Sequence, residues 1–586
     1  MTNSDRLRAL VRGGNLYLSA QDVIALALEN NLDIAIQRYG PFLNRQVTKR
    51  AEAGGILRNV GVPIIAGPQS VSLSGVTASS ATAATASGAN VSASGGVISQ
   101  VGVAIPSFDP QLVLYGDFAH ITTPQSNTVF TGTTALIVEN RTYEAQYSQY
   151  NQLGTYFQLT YLSQWNKYNS AFYNINPFSS AYLDFQVSQN LLQGFGRSVL
   201  DRNIWVSKNN EKVSDLQFKQ QLITTISAVL NLYWDLVSFY QDLKARKDEL
   251  ATAQALYEDN KKQVQIGTLA PIEVTRAESQ VYSSQQDLLV AQTDLSQQEI
   301  VLKNALSRNG VADPLLAEVH VIPLDTIEVP PSDNLKPINE LVEEALRNRV
   351  EIAQDRINID SNKINLKAIK NELRPTLQVF ADLRNNGLSG PPNYLTTVPD
   401  YNGPPIESVP FLTGGYGNVL AQIFRRNFPN YSAGISLSIP LRNRSAQADY
   451  ATNALLLRQS ELTLQKALND VRVDVQNAVI GLRQARARYD SAVKARILQQ
   501  QTLDADKKKY TLGASTVFQV VTDQQTLAAA ESAETQALAN YTHARIAFDQ
   551  SLGTTLDVNH VSFDEALSGQ VRRQSVLPAN LPKLEQ

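Results

Sequence analysis

Apolar residues in this chain recur with two periods. In one, Leu183, Phe185, Val187 and Leu191 alternate with Asp184, Gln186, Ser188 and Asn190, and Ile435, Leu437, Ile439 and Leu441 alternate with Ser436, Ser438 and Pro440. Alternation of period two places one face of a strand in apolar surroundings and the other in water. A run near ten residues is also the length of a tilted strand crossing a bilayer, although a half-buried strand of a soluble sandwich has the same pattern. Strands are predicted near 110–120, 181–192, 375–384 and 433–441. The second period is seven: Val274, Val281, Leu288, Leu295 and Leu302 in one place, Val520, Leu527, Glu534, Tyr541 and Phe548 in another. A seven-residue apolar repeat predicts left-handed coiled-coil packing, with Glu534 a polar interruption in the second seam.

Breakers are scarce in the helical stretches. Ser198 to Ile266 contains no Gly or Pro, and Ser445 to Leu512 contains only Gly481. Long helices are therefore predicted over 198–266 and 445–512, each roughly 100 Å if continuous, with return helices over 272–309 and 517–552. The turns between them are related in sequence. Ile266-Gly267-Thr268-Leu269-Ala270-Pro271-Ile272-Glu273-Val274 reappears as Leu512-Gly513-Ala514-Ser515-Thr516-Val517-Phe518-Gln519-Val520. Likewise Leu26-Ala27-Leu28-Glu29-Asn30-Asn31 matches Glu344-Ala345-Leu346-Arg347-Asn348-Arg349, and Pro110 before one strand matches Pro375 before another. The chain is thus a tandem duplication. The first repeat covers 1–322, a proline-rich linker 323–337, the second repeat 338–568 (opening with a helix over 338–373), and a tail 569–586.

The helix openings lie 318 positions apart and the prolines only 265, so the first repeat carries a surplus of 53 residues. That surplus is the tract 54–107, rich in Ser, Gly, Ala, Thr and Val. Its composition predicts a loosely ordered insertion that buries little. The segments 121–180 and 384–430, polar and aromatic with Tyr143, Tyr147, Tyr150, Tyr156 and Tyr161 in the first, read as long exposed loops. Tyr156 to Leu162 points to an additional hairpin within the first of them.

Composition excludes several chemistries. The chain has 586 residues, net charge -3 and no Cys, so it has no basic face for nucleic acid, no disulfide and no thiolate site. His120, His320, His543 and His560 have no metal-ligand spacing, and Gly194-Phe195-Gly196 opens no phosphate loop. Neither an enzyme nor a cofactor site is expected. No run approaches 18 consecutive apolar residues. The first fifteen residues lack the apolar core of a secretory signal, and the strand pattern favours a signal that was removed.

If the strands cross lipid, they must belong to a closed barrel, because every backbone polar group there needs a partner. Four strands cannot close one, since such barrels start at eight, so several copies would share it. Here the chain resembles the TolC-type outer membrane efflux protein family. The likeness rests on Ala27-Leu28-Glu29-Asn30-Asn31, Phe108-Asp109-Pro110, Gln189 to Gly196, Tyr233-Trp234-Asp235-Leu236-Val237 and both glycine turns, and runs from about Leu18 to Leu556 without the insertion. The family has Pro where Asn190 stands, and the second repeat has it at Pro440. The resemblance implies a mixed α+β membrane protein of the Gram-negative envelope. It would be a homotrimer, with four strands per subunit in a 12-stranded outer membrane β-barrel continued by a periplasmic α-helical coiled-coil tunnel. Its partners would be a periplasmic adaptor and an inner-membrane RND or ABC exporter, serving efflux or type I secretion.

The same resemblance assigns the tip. Ile266, Gly267, Thr268 and Leu269, with Leu512, Gly513, Ala514 and Ser515, match the turns on which adaptors dock. Glu273 and Tyr510 match gate positions. Gln519 and Thr522 stand where well-known members carry aspartates at the constriction, with Asp523 one step round the helix, which implies a softer polar ring. A soluble coiled-coil scaffold without a pore is the alternative reading.

Overall fold

Two helical hairpins and one antiparallel sheet account for most of the chain. The computed structural model describes residues 2–57, 63–71, 102–267, 269–393, 411–512 and 514–575. At the N-terminus α1 (Asp5–Leu10) leads into β1 (Val11–Arg12) and β2 (Asn15–Leu18). β2 pairs in parallel with β7 (His320–Pro323), joining the start of the first repeat to its end.

In each repeat the opening helix breaks at the matching residue. α2 (Ala20–Asn30) and α3 (Leu32–Glu52) part at Asn31, and α8 (Ile338–Asn348) and α9 (Val350–Glu372) part at Arg349. Both break residues are extended, at φ/ψ of -62/128 and -68/128. The single helix expected over 338–373 is corrected accordingly. Asn31 explains the first break: its side chain accepts from the N–H groups of Asp33 and Ile34 and so caps α3.

The one-turn α4 (Arg197–Leu200) precedes α5 (Arg202–Gln265), which turns back as α6 (Ile272–Leu306); the short α7 (Pro314–Ala317) follows. In the second repeat α11 (Arg444–Thr511) turns back as α12 (Val517–Leu552), and α13 (Thr555–Val558) and α14 (Phe563–Ser568) close the described chain. The seam of α6 is more than the apolar heptad line. Between those positions lie Ala277, Ser284, Ala291 and Gln298, all buried, small or hydrogen-bonded residues that let the helices approach closely. In α12 the interruption at Glu534 is met across the hairpin by Arg496 of α11. The middle of α5 is the core of the molecule. Tyr233 is fully buried, and its hydroxyl donates to the Leu18 carbonyl at 3.0 Å or to Asp325 at 2.9 Å. One window of α5 is apolar enough to cross a membrane, but 78% of it is buried inside the protein.

The sheet differs from expectation. β3 (Gln111–Pro124), β4 (Ala135–Tyr150), β5 (Thr155–Tyr168), β6 (Phe178–Asn190), β8 (Thr376–Ser389) and β9 (Phe428–Ser438) form one six-stranded sheet in that order, antiparallel throughout. Four strands per chain is therefore corrected to six, and most of the supposed loop 121–180 is strand. A helix, α10 (Tyr416–Phe424), lies against β6 and β8. Gly387 permits this approach, since a Cβ there would come within 2.5 Å of the Val419 carbonyl. The Gln422 amide also clamps Leu388, accepting from its N–H at 2.8 Å and donating to its carbonyl at 3.0 Å.

Part of the insertion is held against the helices, which corrects the reading of a loosely ordered tract at that point, although none of residues 63–71 is buried. Residues 63–71 run along α5 and α6. Gln221, fully buried, holds both the N–H and the carbonyl of Ile65, at 2.8 and 2.9 Å. Gln298 accepts from Ser70 and from the Val71 N–H, at 2.9 and 3.1 Å. The remainder of the tract falls largely outside the described residues.

Candidate functional site: an amphipathic sheet and the helix tips

Register sorts the sheet's side chains onto two unlike faces. Leu112, Leu114 and Phe118 lie beside Tyr147, Ala145 and Arg141. Phe157, Leu159 and Tyr161 continue that face, followed by Val187, Phe185 and Leu183. Leu377, Val379 and Leu383 lie next, and then Leu437, Ile435 and Tyr431. Many of these are open to the surroundings: Leu114 is 72% exposed, Ile435 72% and Tyr431 82%. A contiguous apolar surface of this kind has to be covered by something other than water. The opposite face carries Thr142, Glu144, Gln146, Gln158, Thr160, Gln164, Asp184, Gln186, Asp382, Arg384, Ser432 and Ser436. Its central cation is neutralised in place, with Arg384 3.0 Å from Asp184 and its guanidinium over the Tyr182 ring. Antiparallel strands with one apolar and one more polar face have the pattern of a barrel wall between lipid and water.

At the far end of the helices the two hairpins turn. Ile266 is 74% exposed and Leu512 84% exposed. Gly267 has φ +81, a left-handed conformation that glycine adopts without strain. Leu269 is half-buried, Ala514 donates its N–H to the Lys509 carbonyl at 2.8 Å, and Ser515 is half-buried. Thr268 and Gly513 lie outside the described residues.

The structure brings Tyr510, but not Glu273, across to the other hairpin. The Tyr510 hydroxyl lies 3.1 Å from Asn260 Oδ1 and 3.0 Å from Gln263 Oε1, both on α5. Burial pushes the Tyr510 pKa up, the hydrogen bond to Gln263 pulls it down, and the negative charges of Glu273 and Asp259 raise it again. Glu273 instead pairs within its own helix, with Arg276 at 2.8 Å. Gln519 is exposed, and its amide donates to Asp523 at 3.1 Å. Thr522 donates to the Phe518 carbonyl at 2.8 Å. Asp523 is only 5% exposed and faces into the hairpin. There its carboxyl group faces that of Asp506, which Lys509 contacts at 2.7 Å. Burial, then the contact with Asp506, raises the Asp523 pKa, while Lys509 lowers that of Asp506. Sequence reasoning missed Asn260 and Gln263, polar residues on a polar helix. It also missed two contacts between the hairpins, Arg276 over the Phe518 ring and Gln525 donating to Gln280 at 2.6 Å.

A two-faced antiparallel sheet standing on long coiled-coil hairpins defines an outer membrane channel with a helical extension. The family model for outer membrane efflux proteins matches residues 99–308 and 341–554, one stretch in each repeat, and the chain belongs to that family. Solved structures share its fold. The Campylobacter jejuni CmeC outer membrane channel is 13% identical with a TM-score of 0.55, over 94% of this chain and 90% of that one. The Vibrio cholerae outer membrane protein VceC is 11% identical with a TM-score of 0.55, over 91% and 96%. CusC is 13% identical with a TM-score of 0.55, over 94% and 95%. No curated protein matches the chain in sequence.

Proposed function

We propose that this chain is the passive exit duct of an export system. Three copies combine their sheets in the outer membrane, and their helices form a tunnel through the periplasm. An adaptor protein docks at the exposed turns around Ile266 and Leu512 and opens the tip, while an inner-membrane RND or ABC exporter supplies the energy. Supporting this reading above all is the sheet, whose apolar face demands lipid and whose polar face suits a water-filled passage. Its two edge strands, β3 and β9, have only one neighbour each, so a single copy encloses nothing. The tip supports the gate, because Tyr510 ties the second hairpin to the first where a movement of either would part them. Catalysis is no part of this role.

Reconstitution tests the reading. Protein extracted in detergent and added to planar bilayers should give discrete ion-conducting channels from an oligomer. A water-soluble monomer with no conductance would overturn the duct and favour the scaffold.

A further inference from the structure

The strand count changes the channel. We infer that β3 of one copy pairs with β9 of the next, so that three copies of the six-stranded sheet close an eighteen-stranded barrel. This rests on the trimeric duct proposed above and departs from the twelve strands that four per subunit would give.

The hairpin of β4 and β5 is not an ornament on the wall. β4 pairs with β3 over 14 residue positions and β5 with β6 over 12, so the hairpin lies between the two strands it would otherwise have to leave adjacent. Its residues keep the sheet's division, with Tyr143, Tyr147, Phe157 and Leu159 on the apolar face and Thr142, Gln146, Gln158 and Thr160 on the polar one. A hairpin lying outside the wall would have no reason to do so.

The edges fit each other. Six is an even number, so β3 and β9 run in opposite directions, and meeting between copies they continue the antiparallel ladder. The edges carry little of the usual protection against pairing, with prolines only near one end of each, Pro124 and Pro429. β9 contains no charged residue and β3 only Asp117. In lipid their free N–H and C=O groups require partners, and a second copy supplies them.

Girth agrees as well. Six strands about 4.8 Å apart and tilted about 40° span about 38 Å of circumference. Beneath them each copy contributes four helical strands, and at spacings of 8–10 Å these span about 32–40 Å. Four strands would span only about 25 Å. Eighteen strands give a backbone diameter of about 36 Å against about 24 Å for twelve, roughly twice the cross-section. The mouth of this duct therefore passes bulkier solutes than a twelve-stranded one, and restriction falls to the helix tips.

Single-particle imaging of the full chain in lipid nanodiscs tests this. Eighteen strands, with β3 beside the neighbouring copy's β9, are expected. A threefold assembly with twelve strands and the 135–168 hairpin displaced would overturn the inference and leave the duct intact. A twofold barrel of twelve would overturn both the inference and the trimer, and a monomer without a pore would remove the duct itself. Cross-linking gives a second readout, since the chain has no native Cys. Asp117→Cys combined in turn with Asn430→Cys, Ser432→Cys and Ser436→Cys, all on the polar face, should yield an intersubunit disulfide in at least one pair. Failure of all three would count against the β3–β9 seam.

Discussion

Replacing Tyr510 by Phe removes one hydroxyl and leaves the ring in place. That hydroxyl is the only polar contact the tyrosine makes with α5, through Asn260 and Gln263. Asn260 is fully buried, so its amide would lose a partner that water cannot readily replace. The net cost of such a loss is about 1–2 kcal/mol per subunit. If three subunits open together, the closed state is weakened by about 3–6 kcal/mol, and the open-to-closed ratio should rise between about 10² and 10⁴-fold. Open probability of single channels in planar bilayers, recorded without any adaptor, measures it directly. Glu273→Gln is the internal comparison. Its ion pair lies within α6 beside a half-exposed Arg276 and is worth at most about 0.5 kcal/mol, so this variant should change opening far less. Equal effects from the two variants, or a Tyr510→Phe channel as closed as the parent, would refute the reasoning.

Other expectations concern stability. Burial raises the Asp549 pKa to about 6, above the unfolded value of about 3.9. Because the native state holds this proton more tightly, stability falls as pH rises from about 4 to 6 and stays low above that. Asp549→Asn should therefore raise stability by about 2–3 kcal/mol at pH 8 and by much less at pH 4, as read by thermal melts at both pH values. His543 sits 2.8 Å from Asp235 in the core. Burial lowers its pKa, but the charge and hydrogen bond of Asp235 outweigh this and the net shift is upward. Its stabilising contribution is complete below the unfolded pKa and disappears as pH rises through the folded one, so His543→Gln should cost more at pH 6 than at pH 9. Gly387→Val would drive a side chain into the Val419 carbonyl and should lower the melting midpoint by an amount equivalent to about 1–3 kcal/mol, with α10 more open to protease.

The helices were legible because their signals are long. Breaker-free runs and a period of seven survive any local substitution, and the glycine turns mark where each run reverses. Strands β6, β8 and β9 were legible through Leu, Ile, Val and Phe. β4 was not, because its outward positions are Tyr143, Ala145 and Tyr147 and its inward ones Thr142, Glu144 and Gln146. Counted as hydrophobicity that alternation is faint, and tyrosine in a polar stretch reads equally as loop. Asp523 carries a different lesson. It lies three positions after the heptad residue Val520, in the buried hairpin seam, so the heptad itself excluded it from a pore-facing ring. Asn260 and Gln263 had no such pattern, since contact between hairpins is a property of their packing.

The docked segment 63–71 has a mechanical consequence. Through Gln221 and Gln298 it staples α5 to α6. Below Gln298, α6 extends 26 residues to Ile272, an arm of about 39 Å at 1.5 Å per residue. If the tip splays, the staple is expected to act as the fulcrum of that arm, with the hairpin bending between the two and the region above it staying still. Spin labels placed in pairs above and below Gln298 would register the difference as distances that stay fixed on one side and widen on the other.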